Sequence, residues 1–244
     1  MKILLEREKV NPDKSDNAGR TPLWCAAWNG HGEVVKTLLE RGGINPDNPD
    51  KDGLTPLWCT AYNGHTEVVK ILLERDEVNT NRPDNDGLSP LCSAVRNGHT
   101  GVAKVLLERD DVDLNKPDND SRTPLSWAAR AGHDDIVEVL LGRPDVAPDT
   151  VDRSGRTPLE WAAECGHISI FLILLRRYSR SRHIEVTDST GRTVLTWPPP
   201  RVGKRRFEDQ DSARDLVGSS YSRDPLATEP SKWSHHPFKR IRRS

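Results

Sequence analysis

The sequence predicts an all-α solenoid built from stacked helix pairs, and two observations carry that prediction. A Thr/Ser-Pro-Leu triplet recurs with a period of 34 residues and no slippage. The triplets begin at Thr21, Thr55, Ser89, Thr123 and Thr157. Self-similarity at a period between about 20 and 50 residues is typical of a stacked-repeat protein. Hydrophobic residues make up only 34% of the chain, which suits an array whose units bury a face only against their neighbours.

The first helix of each repeat is bounded by cap residues. In the first repeat Thr21 is an N-cap residue, and Pro22 follows at the first helical position, where its fixed φ angle and missing N–H are tolerated. The pattern predicts a short helix from Leu23 to about Asn29. Gly30 is expected to end this helix, because glycine readily adopts the left-handed backbone found after helix termini.

A second helix and a long turn complete the repeat. His31 and Gly32 turn the chain, and Glu33 gives the second helix an acidic first turn. The apolar residues of this helix form a wide stripe. They are Val34, Val35, Leu38 and Leu39. The link over residues 42–54 is rich in Pro, Asp, Asn and Gly, which predicts a turn and not a third helix.

The repeat register divides the chain into consecutive units. The predicted units are a partial N-terminal repeat at 1–15, five full repeats at 16–49, 50–83, 84–117, 118–151 and 152–187, a degenerate C-terminal capping repeat at 188–197, and a disordered basic tail at 198–244. The first residues, MKILLER, match the second helix of a repeat. They are either a natural cap or, as we favour, the end of a missing upstream repeat. The tail has too few apolar residues to offset the entropy of ordering.

Two irregular places carry expectations of their own. Ser121 replaces the turn glycine of the other four repeats, so this turn should be strained or rebuilt. The second helix of repeat five, over 168–175, is apolar nearly all round and needs a cover. We expect Thr193 to open a helix of a sixth, broken repeat that supplies this cover as a C-terminal cap. Its apolar residues are Val194, Leu195 and Trp197.

These motifs resemble the ankyrin repeat. G-x-T-P-L, A-A-x-x-G-H and V-V-x-x-L-L, with V-N before the next D-x-x-G, match the ankyrin unit in register five times, over residues 1 to about 197. The tetratricopeptide repeat shares the period, but its W-x-x-L-G-x-x-Y signature is absent. The ankyrin unit usually has about 33 residues, so each turn here is one residue longer. The PD-rich turns and the SWAA and EWAA segments look most similar to long ankyrin arrays of filamentous fungi.

The resemblance implies a binding surface. In ankyrin arrays the two positions after the Ala-Ala pair, and the second to fifth positions of each turn, face the concave side. The row directly after the pair is then Trp28, Tyr62, Arg96, Arg130 and Glu164. The neighbouring row is Asn29, Asn63, Asn97, Ala131 and Cys165. The turn row is Arg20, Leu54, Leu88, Arg122 and Arg156.

These rows predict a groove for an extended protein partner with an apolar end and an acidic end. Trp, Tyr and Arg are the residue types that dominate interface energetics. Aromatic residues and leucines occupy repeats one to three, and arginines occupy repeats three to five. The alternative is that Trp28 and Tyr62 only pack on neighbouring helices, because an amphipathic ring suits either place.

The chain departs from the family at one position. The family usually has a histidine after T-P-L that bonds the threonine hydroxyl and supports a tight first turn, and that bond is lost here. The residues at this position are Trp24, Trp58, Cys92, Ser126 and Glu160. Trp127 and Trp161 lie one place later, where the family has a buried apolar residue, and are expected in the core.

No pattern predicts an enzyme, a cofactor or a metal site. H-E-x-x-H, P-loop, G-x-G-x-x-G and nucleophile-elbow motifs are absent. The acidic turn that starts at Asn48 is similar to a calcium loop, but Cys59 stands where a bidentate Glu is required. One histidine per repeat is too sparse for two to share an ion, and the resemblance implies that each bonds backbone at the inter-helix turn. They are His31, His65, His99, His133 and His167.

Composition predicts a monomeric cytoplasmic protein with no membrane contact and no small-molecule substrate. No signal peptide is present, and no apolar run approaches the ~18 residues of a membrane span. The four cysteines include no C-x-x-C pair, which is typical of reduced thiols inside the cell. Residues 1–197 hold 25 Lys+Arg against 31 Asp+Glu, whereas residues 198–244 hold 11 against 6.

Three functions follow from these observations. The first is a non-catalytic protein-interaction module, a scaffold or adaptor. The second is the regulatory ankyrin portion of a larger fungal enzyme or nucleotide-binding sensor. The third is a nuclear regulator that uses its basic segments, at 176–182, 204–206 and 239–243, for import or nucleic-acid contact. The tail also carries six acids and has no folded nucleic-acid module, so nucleic-acid binding is disfavoured.

Overall fold

The computed structural model describes residues 11–41, 43–178, 184–187 and 193–197, which form helix pairs followed by a short hairpin. Each predicted repeat contributes two helices. They are α1 (Pro22–Trp28) and α2 (Gly32–Glu40), α3 (Pro56–Asn63) and α4 (Thr66–Leu73), α5 (Pro90–Arg96) and α6 (Thr100–Leu107), α7 (Pro124–Ala131) and α8 (Asp134–Leu141), and α9 (Pro158–Glu164) and α10 (Ile168–Tyr178). The predicted solenoid of two-helix repeats is confirmed.

The repeats stack through matched helices. Each first helix contacts the first helix of the next repeat, from α1 on α3 to α7 on α9, and each second helix does the same from α2 on α4 to α8 on α10. The apolar stripe of α2 faces this core, since Val35, Leu38 and Leu39 are buried and Val34 is half-buried. The stability of the array therefore comes from apolar surface buried between neighbours.

The caps of the first helices form as predicted. Oγ1 of Thr21 accepts a hydrogen bond from the backbone N–H of Trp24 at 3.1 Å, and the equivalent Thr or Ser does so in every repeat. The first turn keeps its shape although the histidine of the family is missing. Repeat five adds a capping box, because Glu160 accepts from the backbone N–H of Thr157 at 2.7 Å. Gly30 follows α1 with a φ of 70°, as its sequence position predicts.

A tight aspartate turn precedes each first helix. In repeat two, Oδ1 of Asp50 accepts hydrogen bonds from the backbone N–H groups of Asp52 at 3.0 Å and Leu54 at 2.9 Å. The backbone N–H of Asn85, in the next turn, donates to the carbonyl of Asp52 at 3.1 Å. Similar bonds recur along the array, so these turns form one hydrogen-bonded row.

Ser121 keeps its turn at the cost of a strained backbone. Its φ is 62°, and it is the only non-glycine residue with positive φ in the described part of the chain. At Gly87, a Cβ would lie only 2.6 Å from Oδ1 of Asn119 in the next turn. Ser121 is the equivalent of Gly87 one repeat later, and Arg153 is the equivalent of Asn119. The Cβ of Ser121 therefore meets no asparagine at that place in the next turn. The turn is therefore strained and not rebuilt.

The PD-rich turns link neighbouring repeats a second time. Oδ1 of Asn45 accepts from the backbone N–H of Asp47 at 3.0 Å, which shapes the turn. Oδ2 of Asp47 then accepts from the backbone N–H of Asn79, in the next repeat, at 2.7 Å. The same bridge joins Asp13 to Asn45, Asn81 to Asp113 and Asn115 to Ala147. The long turn thus carries side-chain-to-backbone bonds that tie the repeats together.

The segment after repeat five is a hairpin. β1 (Ile184–Thr187) pairs antiparallel with β2 (Thr193–Trp197), with Ile184 opposite Trp197 and an irregularity before Thr187. The prediction that residue 193 opens a helix is therefore wrong. The sequence TVLTW is rich in β-branched and aromatic residues, which favour a strand, and the three prolines that follow cannot continue a helix.

Some predicted segments lie outside the described residues. These are residues 1–10 of the partial N-terminal repeat and the basic tail at 198–244. The side chains of β2 lie outside as well, so the cover over α10 stays a prediction. Within α10, Ile170, Phe171 and Leu174 are buried, and they complete the core of repeat five.

Candidate interaction surface

The candidate residues lie on α1, α3, α5, α7 and α9 and on the aspartate turns, a surface that we call the first-helix face. Histidines hold the backbone beneath it. Nε2 of His99 lies 2.9 Å from the carbonyl oxygen of Tyr62 in the preceding repeat. The other pairs are His65 with Trp28, His133 with Arg96 and His167 with Arg130. Because a carbonyl only accepts, Nε2 carries the proton. The structural role predicted for the histidines is confirmed in repeats two to five.

The aromatic residues of repeats one and two form a stack of four rings. Trp28 stacks on Trp24 with centroids 5.2 Å apart and planes 5° apart, and on Tyr62 at 5.8 Å and 18°. Tyr62 also stacks on Trp58 at 5.2 Å and 11°. Trp24 and Trp58 are buried, whereas Trp28 and Tyr62 are half-buried. Each half-buried ring thus stacks on two neighbouring rings and stays partly exposed.

Indole N–H groups of this stack donate hydrogen bonds to the aspartate turns. Nε1 of Trp24 donates to the carbonyl of Leu54 at 2.9 Å, and Nε1 of Trp58 donates to the carbonyl of Leu88 at 3.0 Å. The two leucines are only 0% and 5% exposed. The prediction that Leu54 and Leu88 contact a partner is corrected accordingly, because their side chains pack inside the array.

The asparagine row stabilises the helices that it follows. Nδ2 of Asn29 donates to the carbonyl of Cys25 at 2.8 Å. Asn63 and Asn97 make the same bond to Cys59 and Ser93. These amides satisfy carbonyls at the C-terminal ends of α1, α3 and α5. Asn29 and Asn97 are exposed and Asn63 is half-buried, so their contact with a partner stays a prediction.

Arginines and tryptophans alternate in repeats three to five. Arg96 lies over Trp127, with its Cζ 4.6 Å from the ring centroid. Arg130 lies 5.3 Å from Trp127 and 4.8 Å from Trp161, and Arg156 lies over Trp161 at 4.8 Å. Both tryptophans are buried, as predicted. Cation–π contacts of this kind hold the guanidinium groups in fixed positions.

Most arginines of the predicted rows are already paired with a carboxylate or buried. Three pair with carboxylates: Arg20 with Asp16 at 2.6 Å, Arg122 with Asp120 at 3.1 Å and Arg156 with Glu164 at 2.7 Å. Arg130 is only 4% exposed, which corrects its assignment as a contact residue. Arg96 is half-buried, and within the described part of the chain its guanidinium makes neither an ion pair nor a hydrogen bond. Among the arginines of the three predicted rows, Arg96 is thus the one whose N–H groups are available.

Repeat three lacks the indole that completes the turn in the next two repeats. Nε1 of Trp127 donates to Oδ2 of Asp118 at 2.9 Å, and repeat five repeats this bond. Ser93 stands at the corresponding position. Among the described residues, Oδ2 of Asp84 and Oγ of Ser93 are buried without a hydrogen-bond partner.

Burial, and not the missing indole alone, decides the ionisation of the turn aspartates, because it raises the pKa of Asp118 although Trp127 donates to that carboxylate. Burial raises the pKa of Asp84 to about 6, against an ordinary value of 3.8. In Asp152 burial also opposes the charge, but hydrogen bonds from the Ser154 side chain, the Arg156 backbone and the Trp161 indole outweigh it and lower the pKa. With a pKa of about 6, Asp84 can gain a proton at mildly acidic pH.

Sequence reasoning missed Trp24 and Trp58 as parts of the aromatic stack. The signal was present, because Trp24 and Trp28, like Trp58 and Tyr62, are four residues apart on one helix and share a face. The bonds from Trp127 and Trp161 to the turn aspartates had no comparable signal, because nine residues and a change of backbone direction separate each pair.

The chemistry of the described residues is limited. They include no group of three or more His, Cys, Asp or Glu side chains that could hold a metal ion. In the same residues, no helix combines the length and the apolar character needed to cross a bilayer. Burial raises the pKa of the Cys92 thiol to about 12 and that of Cys59 well above its usual range. These two thiols therefore lack the thiolate form that a nucleophile needs.

Stacked helix pairs with proline-started first helices and histidine-bonded turns define the class of helical repeat solenoids. The family model described as ankyrin repeats (3 copies) matches residues 1–50, 42–118 and 110–188. The chain therefore belongs to the ankyrin repeat family. Ankyrin repeats are generally protein–protein interaction modules. No curated protein matches the chain, and the similarity to fungal arrays stays a prediction.

Proposed function

We propose that this chain is a non-catalytic interaction module, a scaffold or adaptor, that binds a protein partner on its first-helix face. The observation that supports the proposal is the partly exposed row Trp28, Tyr62 and Arg96. Histidines bond the carbonyl of each of these residues, and aromatic rings hold each side chain. A side chain held in this way loses little conformational entropy on binding, which favours affinity.

Affinity capture from native extract with matched baits tests the proposal. The baits are the wild type, the variant Trp28→Ala/Tyr62→Ala/Arg96→Ala, a chain that ends at Trp197, and the control variant Lys36→Ala/Lys70→Ala/Lys104→Ala. The control lysines are exposed and occupy equivalent places on second helices. We expect the first variant alone to lose a partner that the other baits retain. Thermal unfolding of each bait shows whether it is folded.

The same experiment separates this function from a function of the basic tail. If the chain ending at Trp197 loses the partner and the Trp28/Tyr62/Arg96 variant keeps it, the first-helix face is not the binding surface. That outcome would favour the nuclear regulator, in which residues 198–244 carry the activity. Nuclear accumulation with and without residues 198–244 then tests this alternative directly.

A further inference from the structure

We propose that Arg96 anchors the first-helix face by receiving one carboxylate from an extended peptide segment of the partner. The segment runs along the edges of Trp28 and Tyr62 and places an Asp or Glu side chain on Arg96. This inference rests on the proposed function, because it names the chemistry of the partner at the same surface.

The first argument is the contrast between Arg96 and Arg156. Both guanidinium groups lie over a buried tryptophan, at 4.6 Å from Trp127 and 4.8 Å from Trp161 respectively. Arg156 already donates from Nε to Oε1 of Glu164 at 2.7 Å. Among the described residues the guanidinium of Arg96 makes no ion pair or hydrogen bond, and its charge acts on the buried carboxylate of Asp84 only at longer range. A ring on one face leaves the in-plane N–H groups of Arg96 open, and these match a carboxylate in bidentate geometry.

The second argument is the orientation of the aromatic rings. Trp28 and Tyr62 each stack on two neighbouring rings. The edge of an aromatic ring carries partial positive charge, so the open edges attract carbonyl and carboxylate oxygens. A peptide backbone supplies such oxygens at every residue. Bases of single-stranded nucleic acid bind by stacking on open ring faces, and stacking on two neighbours leaves these rings less face area for that contact.

The third argument limits the negative charge of the partner. Asp52 is exposed and Asp86 is half-buried in the turns of repeats two and three. A run of acids along this face would meet the exposed carboxylate of Asp52 and be repelled. Phosphate-recognition sites gather several arginines, whereas the three predicted rows provide one available arginine, Arg96. A single carboxylate at Arg96 fits these charges.

The spacing of the repeats sets the register of the segment. Packed helices lie about 8–10 Å apart, and an extended chain advances about 3.3 Å per residue. About three residues therefore separate the peptide residue at Tyr62 from the acid at Arg96. The expected recognition pattern is an Asp or Glu three positions from a residue that rests on the aromatic edges.

Selection from a displayed library of random 12-residue peptides tests the proposal on the full chain. We expect the selected peptides to share an acid at a fixed position. Affinity of such a peptide should fall about tenfold with Arg96→Gln and less than about threefold with the matched control Arg156→Gln. When peptides are selected for binding to the Arg96→Glu variant, Lys or Arg should replace the shared acid. A purely structural role of Arg96 would not produce this outcome.

Two results would overturn the inference, and they differ in what they say about the surface. In the first result, the selected peptides lose binding to Trp28→Ala/Tyr62→Ala but share no acid, or peptides selected on the Arg96→Gln variant still share the acid. The face then binds protein, and Arg96 is not the anchor. If no peptide is selected, or if selected peptides bind that aromatic variant and wild type equally, both the anchor and the proposed surface are wrong.

Discussion

At the scale of the residue, the five aspartate turns have the same backbone conformation. They differ in the group that donates a hydrogen bond to the second carboxylate oxygen. An indole N–H bonds that oxygen in Asp118 and Asp152, whereas Oδ2 of Asp84 is buried without a partner among the described residues. A buried acceptor without a donor costs free energy. The turn of repeat three is therefore the least well satisfied of these three turns.

Asp84 predicts a pH dependence of stability. Its pKa rises from 3.8 to about 6 on folding because of burial, so the folded state binds the proton more tightly. Its contribution to stability is full below the unfolded pKa and is lost as pH rises through about 6. Between pH 7 and pH 5, the free energy of unfolding of the wild type should rise by about 1 kcal/mol relative to Asp84→Asn.

Urea unfolding of the two proteins across this pH range measures the difference. The other titrating groups are common to both proteins and cancel. Parallel pH profiles would show that Asp84 has the same pKa in the folded and the unfolded chain.

Ser121 predicts a stabilising substitution. Its φ of 62° is a conformation that glycine adopts without strain. Ser121→Gly should raise the free energy of unfolding by about 1 kcal/mol, since the strain relieved exceeds the added entropy of the unfolded chain. Ser121→Ala keeps the Cβ and should not stabilise. If both variants gained equally in urea unfolding, the serine hydroxyl and not the backbone would be the cause.

At the scale of the element, the inter-helix turn of each of repeats one to four is completed by the repeat that follows it. The imidazole of His99 bonds the carbonyl of Tyr62 and fills the space beside Gly64, where a Cβ would lie 2.5 Å from Nδ1 of the ring. Gly64 therefore serves two purposes: its φ is 76°, and its missing side chain admits the histidine. One helix pair alone leaves this turn unfinished.

Histidine substitutions should separate this role from any intrinsic effect of the residue. His99→Ala leaves the carbonyl of Tyr62 without its donor and should lower the free energy of unfolding by about 1–3 kcal/mol. His31 is exposed and bonds no preceding carbonyl in the described residues, so His31→Ala should change stability by less than about 0.5 kcal/mol. Equal losses in thermal unfolding would contradict the inter-repeat bond as the cause.

At the scale of the whole molecule, contacts run from each repeat to its neighbours. First helices pack on adjacent first helices and second helices on adjacent second helices. Such an array behaves as a chain of coupled units, in which a defect is felt most by the repeats beside it. The position of a cavity should therefore decide how far its effect spreads.

Equivalent leucines in repeats three and five test this coupling. Leu106 and Leu174 are both 0% exposed, and replacement by alanine should cost about 2–5 kcal/mol locally. In hydrogen exchange, Leu174→Ala should remove protection mainly from α9 and α10. Leu106→Ala should also lower protection in α3, α4, α7 and α8, because repeat three has a neighbour on each side. Identical exchange patterns would mean that the array unfolds as one unit.

Most of the fold could be predicted because it depends on the conformational preferences of residues that are close together in the chain. Thr21, Pro22 and Gly30 mark a helix by their own conformational preferences, and the repeat copies those marks along the chain. The hairpin could not be predicted from the register of the repeats. The repeat pattern assigned residues 193–197 to a helix, while their β-branched composition indicated the strand that forms.

The candidate surface was predictable only in part. Trp28, Tyr62 and Arg96 are half-buried on the first-helix face, and their contact with a partner stays a prediction. Leu54, Leu88 and Arg130 occupy equivalent rows and are nonetheless buried. The position in the repeat determines where the Cα atom of a residue lies. The residues of the neighbouring repeat decide whether its side chain remains exposed.

The sequence by itself determined the period, the helix pairs, their caps and the family, because each depends on residues close together in the chain. The tertiary structure alone decided which arginine of the predicted rows is available and which rings stack on each other. Those properties depend on contacts between repeats, such as Trp28 on Tyr62 and Arg96 on Trp127, whose residues are 34 and 31 positions apart. A periodic pattern shows that two repeats are neighbours, but only their packing decides which atoms meet.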